Sequence, residues 1–281
     1  MVPVLDRGFL YGDSVYEVVR TYAGRPFELE RHLLRMERTA KGIGLVLPPR
    51  EQIERELSRT LDAAGNDESY ARIVVTRGEG HFGLAPQLAR GQHRLIVIVR
   101  PLQLPAEEKY ARGLQMAIAK TRRNSPLTLD PALKTGNYLN NILALREAVD
   151  AGADDAILLD LEGRVTEATT SNVFFVQRGV VVTPPLRLGM LEGVTRAVAM
   201  EIARGEGLMV REEPHGAEAL AAADEVFVSS TLREIMPVTS LVYLESSGEQ
   251  TRPVGAGRPG PIAQRLRAAF RRYVEEKHLK K

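Results

Sequence analysis

Lysine is scarce in this chain, and the scarcity narrows the search for nucleophilic chemistry. Only residues 41, 109, 120, 134, 277, 280 and 281 of its 38 basic positions are lysine, the rest being arginine. Lys134 stands in LKTGNYLNNILAL, after a loop with two prolines and at the mouth of an apolar helical pattern. A lone lysine is ordinarily solvated, but a desolvated amine at such a position can attack a carbonyl carbon. Glu167, in EGRVTEATTSN, follows a tight turn at a strand end. Its bland reading is a surface carboxylate; placed against a pyridine nitrogen it would keep that nitrogen protonated. GVTR at 193–196 opens a helix after glycine, where free N–H groups and the helix dipole suit a phosphate. SSTLREI at 229–235 adds hydroxyls at a strand end, and Arg35 on an earlier helix can close a charge-assisted grip on the same anion. Tyr70 and Arg72 alternate on one strand and share a face.

Other chemistries fall away on composition. With no cysteine, disulfides, thiolate nucleophiles, zinc-finger sites and iron–sulfur ligation by this chain are excluded. The five histidines include no closely spaced pair. A net charge of +2, from 38 basic and 36 acidic residues, is too even to announce nucleic acid or an anionic membrane. No apolar run approaches the ~18 residues of a membrane span. The start MVPVLDRGF lacks a secretory core, so a cytoplasmic location is expected.

These residues need a scaffold, and 281 residues at roughly 150 per domain suggest two domains. The alternation of Val15, Glu17 and Val19 with Tyr16, Val18 and Arg20 predicts a strand that turns at Gly24-Arg25. Helical spacing covers Leu29 to Lys41, and PPREQIERELSRTLDAAG gives a second helix between proline and Gly65. Strands near 71–76 and 95–100, joined by RGEGHFGLAP, complete a smaller α+β domain at 1–102. The stretch 103–112 reads as a linker, and 113–281 as a larger β-rich α/β domain. In that domain a helix is expected from Thr135 to Ala151, followed by short strands near 156–160, 165–168, 173–176 and 180–183. A helix from 193 to 204, strands near 210 and 225–229, and an amphipathic helix from 262 to 276 close the chain.

Six blocks in order, DRGFLYGDSVYEVVRTYAGRPF, HLLRM, KTGNYLNN, EGRVTEATTSNVFFV, LEGVTR and ADEVFVSSTLREIMPV, resemble the class IV (fold-type IV) pyridoxal-phosphate aminotransferases. That family holds branched-chain and D-amino-acid aminotransferases and aminodeoxychorismate lyases. The resemblance implies a two-domain α/β fold, with the cofactor between the domains and a homodimer completing each site. It makes Lys134 the Schiff-base lysine and Glu167 the partner of the pyridine nitrogen. Arg35, the amides of Val194 and Thr195, and Thr231 with its neighbour Ser230 become the phosphate contacts. Leu191 and Gly193 would pack under the ring, and Tyr138, one helical turn from Lys134, would reach the cofactor hydroxyl. Tyr11, Tyr16, Tyr70 and Arg72 become substrate contacts.

The specificity signals divide. YAR at 70–72 resembles the branched-chain enzymes, and RGEGHFGLAP lacks the Arg-x-His pair of D-amino-acid enzymes. YEVVR at 16–20 and the four-residue step from Lys134 to Tyr138 lie nearer the D-amino-acid and lyase patterns. The start MVPVLDRG is one strand shorter than is usual in the family. The expected activity is transamination of aliphatic L-amino acids, branched-chain ones first, with 2-oxoglutarate as acceptor. A D-amino-acid or (R)-amine transaminase, or aminodeoxychorismate lyase, is the alternative.

Overall fold

A computed structural model describes residues 2–91, 93–245 and 248–280. The chain forms two compact units: Met1–Gln103 with Leu133–Tyr138, and Leu104–Ala132 with Leu139–Lys281. The six residues Leu133–Tyr138, lysine included, thus pack with the first unit although they lie far along the sequence.

The first unit begins with the short helix α1 (Arg7–Tyr11), capped by Asp6. An antiparallel sheet follows, β1 (Ser14–Tyr22), β2 (Arg25–Pro26), β3 (Ser69–Thr76) and β4 (Arg94–Pro101), in the order β2-β1-β3-β4. Ala23 and Gly24, with φ of 48° and 72°, make the two-residue turn from β1 to β2. Positive φ at both central residues matches the strand twist there. Helices α2 (Leu29–Gly42) and α3 (Arg50–Ala64) cover one face, where Val15, Val19, Ala71, Ile73 and Val75 meet Leu33, Met36, Ile53 and Leu57.

Leu133–Tyr138 differs from the sequence expectation. The helix foreseen from Thr135 starts at Leu139, as α5 (Leu139–Asp150). The backbone before it is spent on the free edge of β1: Tyr16 N–H donates to the Lys134 carbonyl at 3.1 Å, and Gly136 N–H to the Ser14 carbonyl at 2.9 Å. Groups committed to a strand edge cannot close helical i→i−4 bonds. Gly136 is required by the close approach, since a Cβ there would lie 2.3 Å from Ser14 Oγ.

The second unit opens with α4 (Glu107–Arg112), inside the stretch expected as linker, and β5 (Leu114–Ile118). After α5 come β6 (Asp155–Leu159), β7 (Val165–Ala168), β8 (Asn172–Gln177) and β9 (Val180–Thr183). Helix α6 (Val194–Gly205), β10 (Val210–Glu212), α7 (Ala217–Ala221) and β11 (Glu225–Ser230) follow. Two strands absent from the sequence reading, β12 (Glu234–Glu245) and β13 (Gly248–Pro253), precede α8 (Pro261–Val274). Strands β8, β11, β12, β5, β6 and β7 run side by side, and the pairing of Glu167 with Asn172 joins β7 back to β8 as a closed ring. Met116, Ile157, Val173, Phe175, Val228 and Met236 belong to its core. Outside, small residues let α5 lie close, Ala144 and Ala148 meeting Ala117, Ala156 and Leu158.

Candidate functional site

On the first unit the lysine amine sits among phenols. Lys134 is 9% exposed, and its Nζ donates to Tyr138 Oη at 3.1 Å and to Tyr16 Oη at 3.5 Å. The two rings meet edge to face with centroids 5.5 Å apart. Tyr138 thus meets the Lys134 amine from a non-helical segment, and not from one turn along a helix. Arg72 lies over the outer side of Tyr16, its Cζ 3.9 Å from the ring centroid, a cation–π contact. Burial, and then the neighbouring Tyr138, push the Tyr16 phenol above its ordinary range, so it stays protonated. Tyr70 shares the Arg72 face of β3, as the alternating burial of the strand shows. Tyr11 is joined instead to the loop after β3, accepting the Gly83 N–H at 3.2 Å.

Arg35 is buried on α2 and held by a residue the sequence reading did not single out as functional. Its Nε and Nη2 donate to Glu17 Oε1 and Oε2, each at 2.7 Å. His32 Nδ1 donates to the same Oε2 at 2.7 Å. Burial resists ionisation of Glu17, yet the Arg35 guanidinium and His32 overcome it and hold the carboxyl at about 2. His32 is pushed the other way: burial lowers it, against the pull of Glu17, and Arg35 and Lys134 lower it further.

On the second unit Glu167 is fixed from two sides. Arg123 Nε donates to Oε1 at 2.9 Å, and the Leu191 N–H to Oε2 at 3.1 Å. The Leu191 carbonyl accepts from Asn172 Nδ2 at 2.9 Å, so the ring-closing pair Glu167 and Asn172 grips both polar groups of one residue. Two residues on, Gly193 caps α6 with no side-chain hydrogen bond. A Cβ on Gly193 would fall 1.9 Å from Asn172 Oδ1, so only glycine fits this approach. Val194 and Thr195 form the first helical turn and are buried, while Arg196 turns away to the Pro184 carbonyl and Glu212. The first N–H groups of a helix lack intrahelical acceptors, so this end offers donors to an anion. Ser230 and Thr231, both half-buried, lie at the β11–β12 turn.

Arg123, Asn141 and Asn172 escaped the sequence reading because only tertiary contact aims them. Arg123 comes from the irregular RRNSPLTLDPAL stretch, and its Nη1 donates to Asn140 Oδ1 at 3.0 Å. Asn141 Nδ2 donates to the Thr169 carbonyl at 2.7 Å.

The class of protein follows from fold and motifs together. The family model described as Amino-transferase class IV matches residues 14–241. A putative branched-chain-amino-acid aminotransferase of Methanocaldococcus jannaschii is 37% identical over 96% of this chain and 90% of its own length. The D-alanine aminotransferase of Bacillus licheniformis is 30% identical over 97% of this chain and 92% of its length. Among solved structures, a T.th. branched-chain amino acid aminotransferase with pyridoxamine 5′-phosphate superposes with a TM-score of 0.89. It is 31% identical, covering 98% of this chain and 89% of that one. The chain belongs to the class IV aminotransferases, a family of pyridoxal-phosphate enzymes. Its two-domain α/β fold is the fold-type IV architecture. No helix among the described residues is long and apolar enough to cross a membrane.

The residues present suit that cofactor. Lys134 provides a buried amine, Glu167 a fixed carboxylate and α6 an uncapped helix start. The buried hydroxyls of Ser171 and Ser229, each one residue before Asn172 and Ser230, have no hydrogen-bond partner among the described residues. Such groups ordinarily meet a bound polar group or water.

Proposed function

We propose that this enzyme transaminates aliphatic L-amino acids, branched-chain ones first, with 2-oxoglutarate as acceptor. The observation that carries the reading is the Arg72 guanidinium stacked on Tyr16, whose phenol in turn meets the Lys134 amine. A cation so placed can receive a substrate carboxylate while the amine handles the carbon beside it. Bound pyridoxal phosphate supplies the carbonyl that takes the substrate nitrogen and the ring that stores the electron pair. Lys134 Nζ accepts the proton from the substrate Cα and later returns one, with Tyr138 and Tyr16 fixing its direction. Glu167 would hold a proton on the pyridine nitrogen, its own orientation set by Arg123 and Leu191. Val194 and Thr195 amides, Thr231, Ser230 and Arg35 would hold the phosphate, and Leu191 and Gly193 would pack against the ring. Arg35→Ala is expected to lose cofactor on dialysis that the parent retains. Tyr70 shares the strand face of Arg72 and would set its angle, and Tyr11 would contribute to the substrate pocket.

A second reading, D-amino-acid or (R)-amine transamination, rests on Tyr16 itself, a phenol that can also receive a carboxylate. Half-reactions of the cofactor-loaded enzyme separate the two. L-Leucine should bleach the cofactor absorbance near about 400 nm faster than D-alanine, (R)-amines or aminodeoxychorismate. Arg72→Ala should slow the L-leucine reaction. A faster D-alanine reaction in the parent, or unchanged L-leucine turnover in Arg72→Ala, contradicts the branched-chain reading.

Support for a homodimer comes from the first unit, where Phe9, Phe82 and Leu84 are 69%, 75% and 77% exposed. Arg7 ties that surface together, donating to the Gly83 and Leu84 carbonyls at 2.9 and 2.8 Å. Apolar side chains held in the open on an ordered surface are an interface signature.

A further inference from the structure

The turn that carries Thr231 is held by an ion pair which no motif assigns. Thr231, Leu232 and Arg233 link β11 to β12, with Ser230 paired across to Glu234. Glu234, the first residue of β12, adopts φ 54°, in the left-handed region that usually favours glycine. A side chain there strains the backbone, and such strain persists where surrounding contacts over-determine the conformation. The contacts converge on Arg233. Its N–H donates to Ser230 Oγ at 3.2 Å, and its carbonyl accepts the Tyr110 hydroxyl at 3.1 Å. Its Nη1 donates to Asp155 Oδ2 at 2.5 Å.

Asp155 is fully buried, which separates this pair from a surface ion pair of little consequence. Its other oxygen accepts from Thr169 Oγ1 at 2.5 Å and from Ala156 N–H at 2.8 Å.

We propose that Arg233 and Asp155 are positioning residues that lock the Thr231 turn in its phosphate-receiving shape. The inference rests on the assignment of Thr231 to the phosphate and deepens it. Its signature is selective: the pair acts on the phosphate end of the cofactor and not on the ring.

Affinities of the cofactor-stripped full-length chain for pyridoxamine 5′-phosphate and for pyridoxamine, which lacks the phosphate, test this. Their ratio isolates the phosphate contribution. In Arg233→Met and in Asp155→Asn that ratio should fall by about tenfold, the scale at which outer partners of a binding group act. Pyridoxamine affinity should stay within about twofold of the parent. Arg233→Lys, which keeps the charge, should restore part of the ratio. An unchanged ratio in Arg233→Met, or equal loss of both ligands, overturns the proposal. Thr231→Val separates the two levels of inference. If it lowers the ratio and Arg233→Met does not, the positioning role alone fails; if Thr231→Val leaves the ratio intact, the phosphate assignment of this turn fails and the proposal with it.

Discussion

Glu17 interrupts an otherwise apolar stripe between Val15 and Val19, and it is fully buried. That placement carries a stability cost unless the charge is met, and Arg35 and His32 meet it. The pH dependence follows. The Glu17 carboxyl sits at about 2 against an ordinary 4.5, so the unfolded chain takes up its proton first as the pH falls. The contribution is present in full above about 4.5 and is lost as the pH drops towards 2. His32 is lowered from 6.5, so the unfolded chain takes up its proton first and adds a loss of the same sign below 6.5. Denaturant titrations between pH 7 and pH 3 (an approximate span) should show stability declining on the acid side. Glu17→Gln should flatten the lower limb and cost about 3–5 kcal/mol at neutral pH, because it strands the Arg35 guanidinium. An unaltered acid limb would remove Glu17 from the account. The stripe is legible in the sequence as an acid among valines. The identity of its partners is not, since Arg35 and His32 reach it across the packing of α2 on β1.

At the scale of elements, both sets of residues depend on glycines that admit a neighbour where a methyl group would collide. Gly136 lets the lysine segment lie along β1, and Gly193 lets α6 start against Asn172. Gly136→Ala should cost about 1–3 kcal/mol in thermal or chemical unfolding and shift Lys134 relative to Tyr16. Reduced cofactor attachment at a given cofactor concentration would report the shift. Gly193→Ala should carry a similar stability cost and weaken affinity for pyridoxamine 5′-phosphate, because α6 or Asn172 must move. Wild-type affinity in that variant would mean that the α6 start does not receive the phosphate. Element types and order were largely readable from periodicity and punctuation, as with α3 between Pro49 and Gly65. The start of α5 was not. KTGNYLNN carries helical spacing, but its first residues are claimed by the edge of β1, a long-range contact that local pattern does not record. The twelve-residue β12 also passed unseen, its run broken by Pro237 and by the polar Thr239 and Ser240.

At the scale of the whole molecule, the ordered blocks in the sequence led to the family because they are spread over both units. What they could not show were the supporting contacts: Arg123 behind Glu167, Asp155 behind Arg233, and Glu17, itself within the first block, behind Arg35. Each support is an ordinary charged residue in sequence and gains its role only from burial and a partner remote in the chain. The homodimer proposal belongs to this scale as well. Light scattering after gel filtration should give twice the chain mass, and replacing Phe82 and Leu84 with serine should shift it towards the monomer. A monomeric parent would contradict that assembly.

We propose Lys134 as the amine that engages the cofactor, and its setting distinguishes it from Lys109. Lys134 is 9% exposed between two phenols, whereas the Lys109 side chain is 49% exposed and paired with Asp154 at 3.3 Å. Borohydride reduction of the cofactor-loaded enzyme fixes any imine linkage, and peptide mapping by mass spectrometry then locates it. The label is predicted on the peptide containing Lys134, and Lys134→Ala should fold, bind the cofactor without covalent attachment and take no label. Labelling at Lys109 or Lys120 instead, or undiminished labelling of Lys134→Ala, would contradict the account.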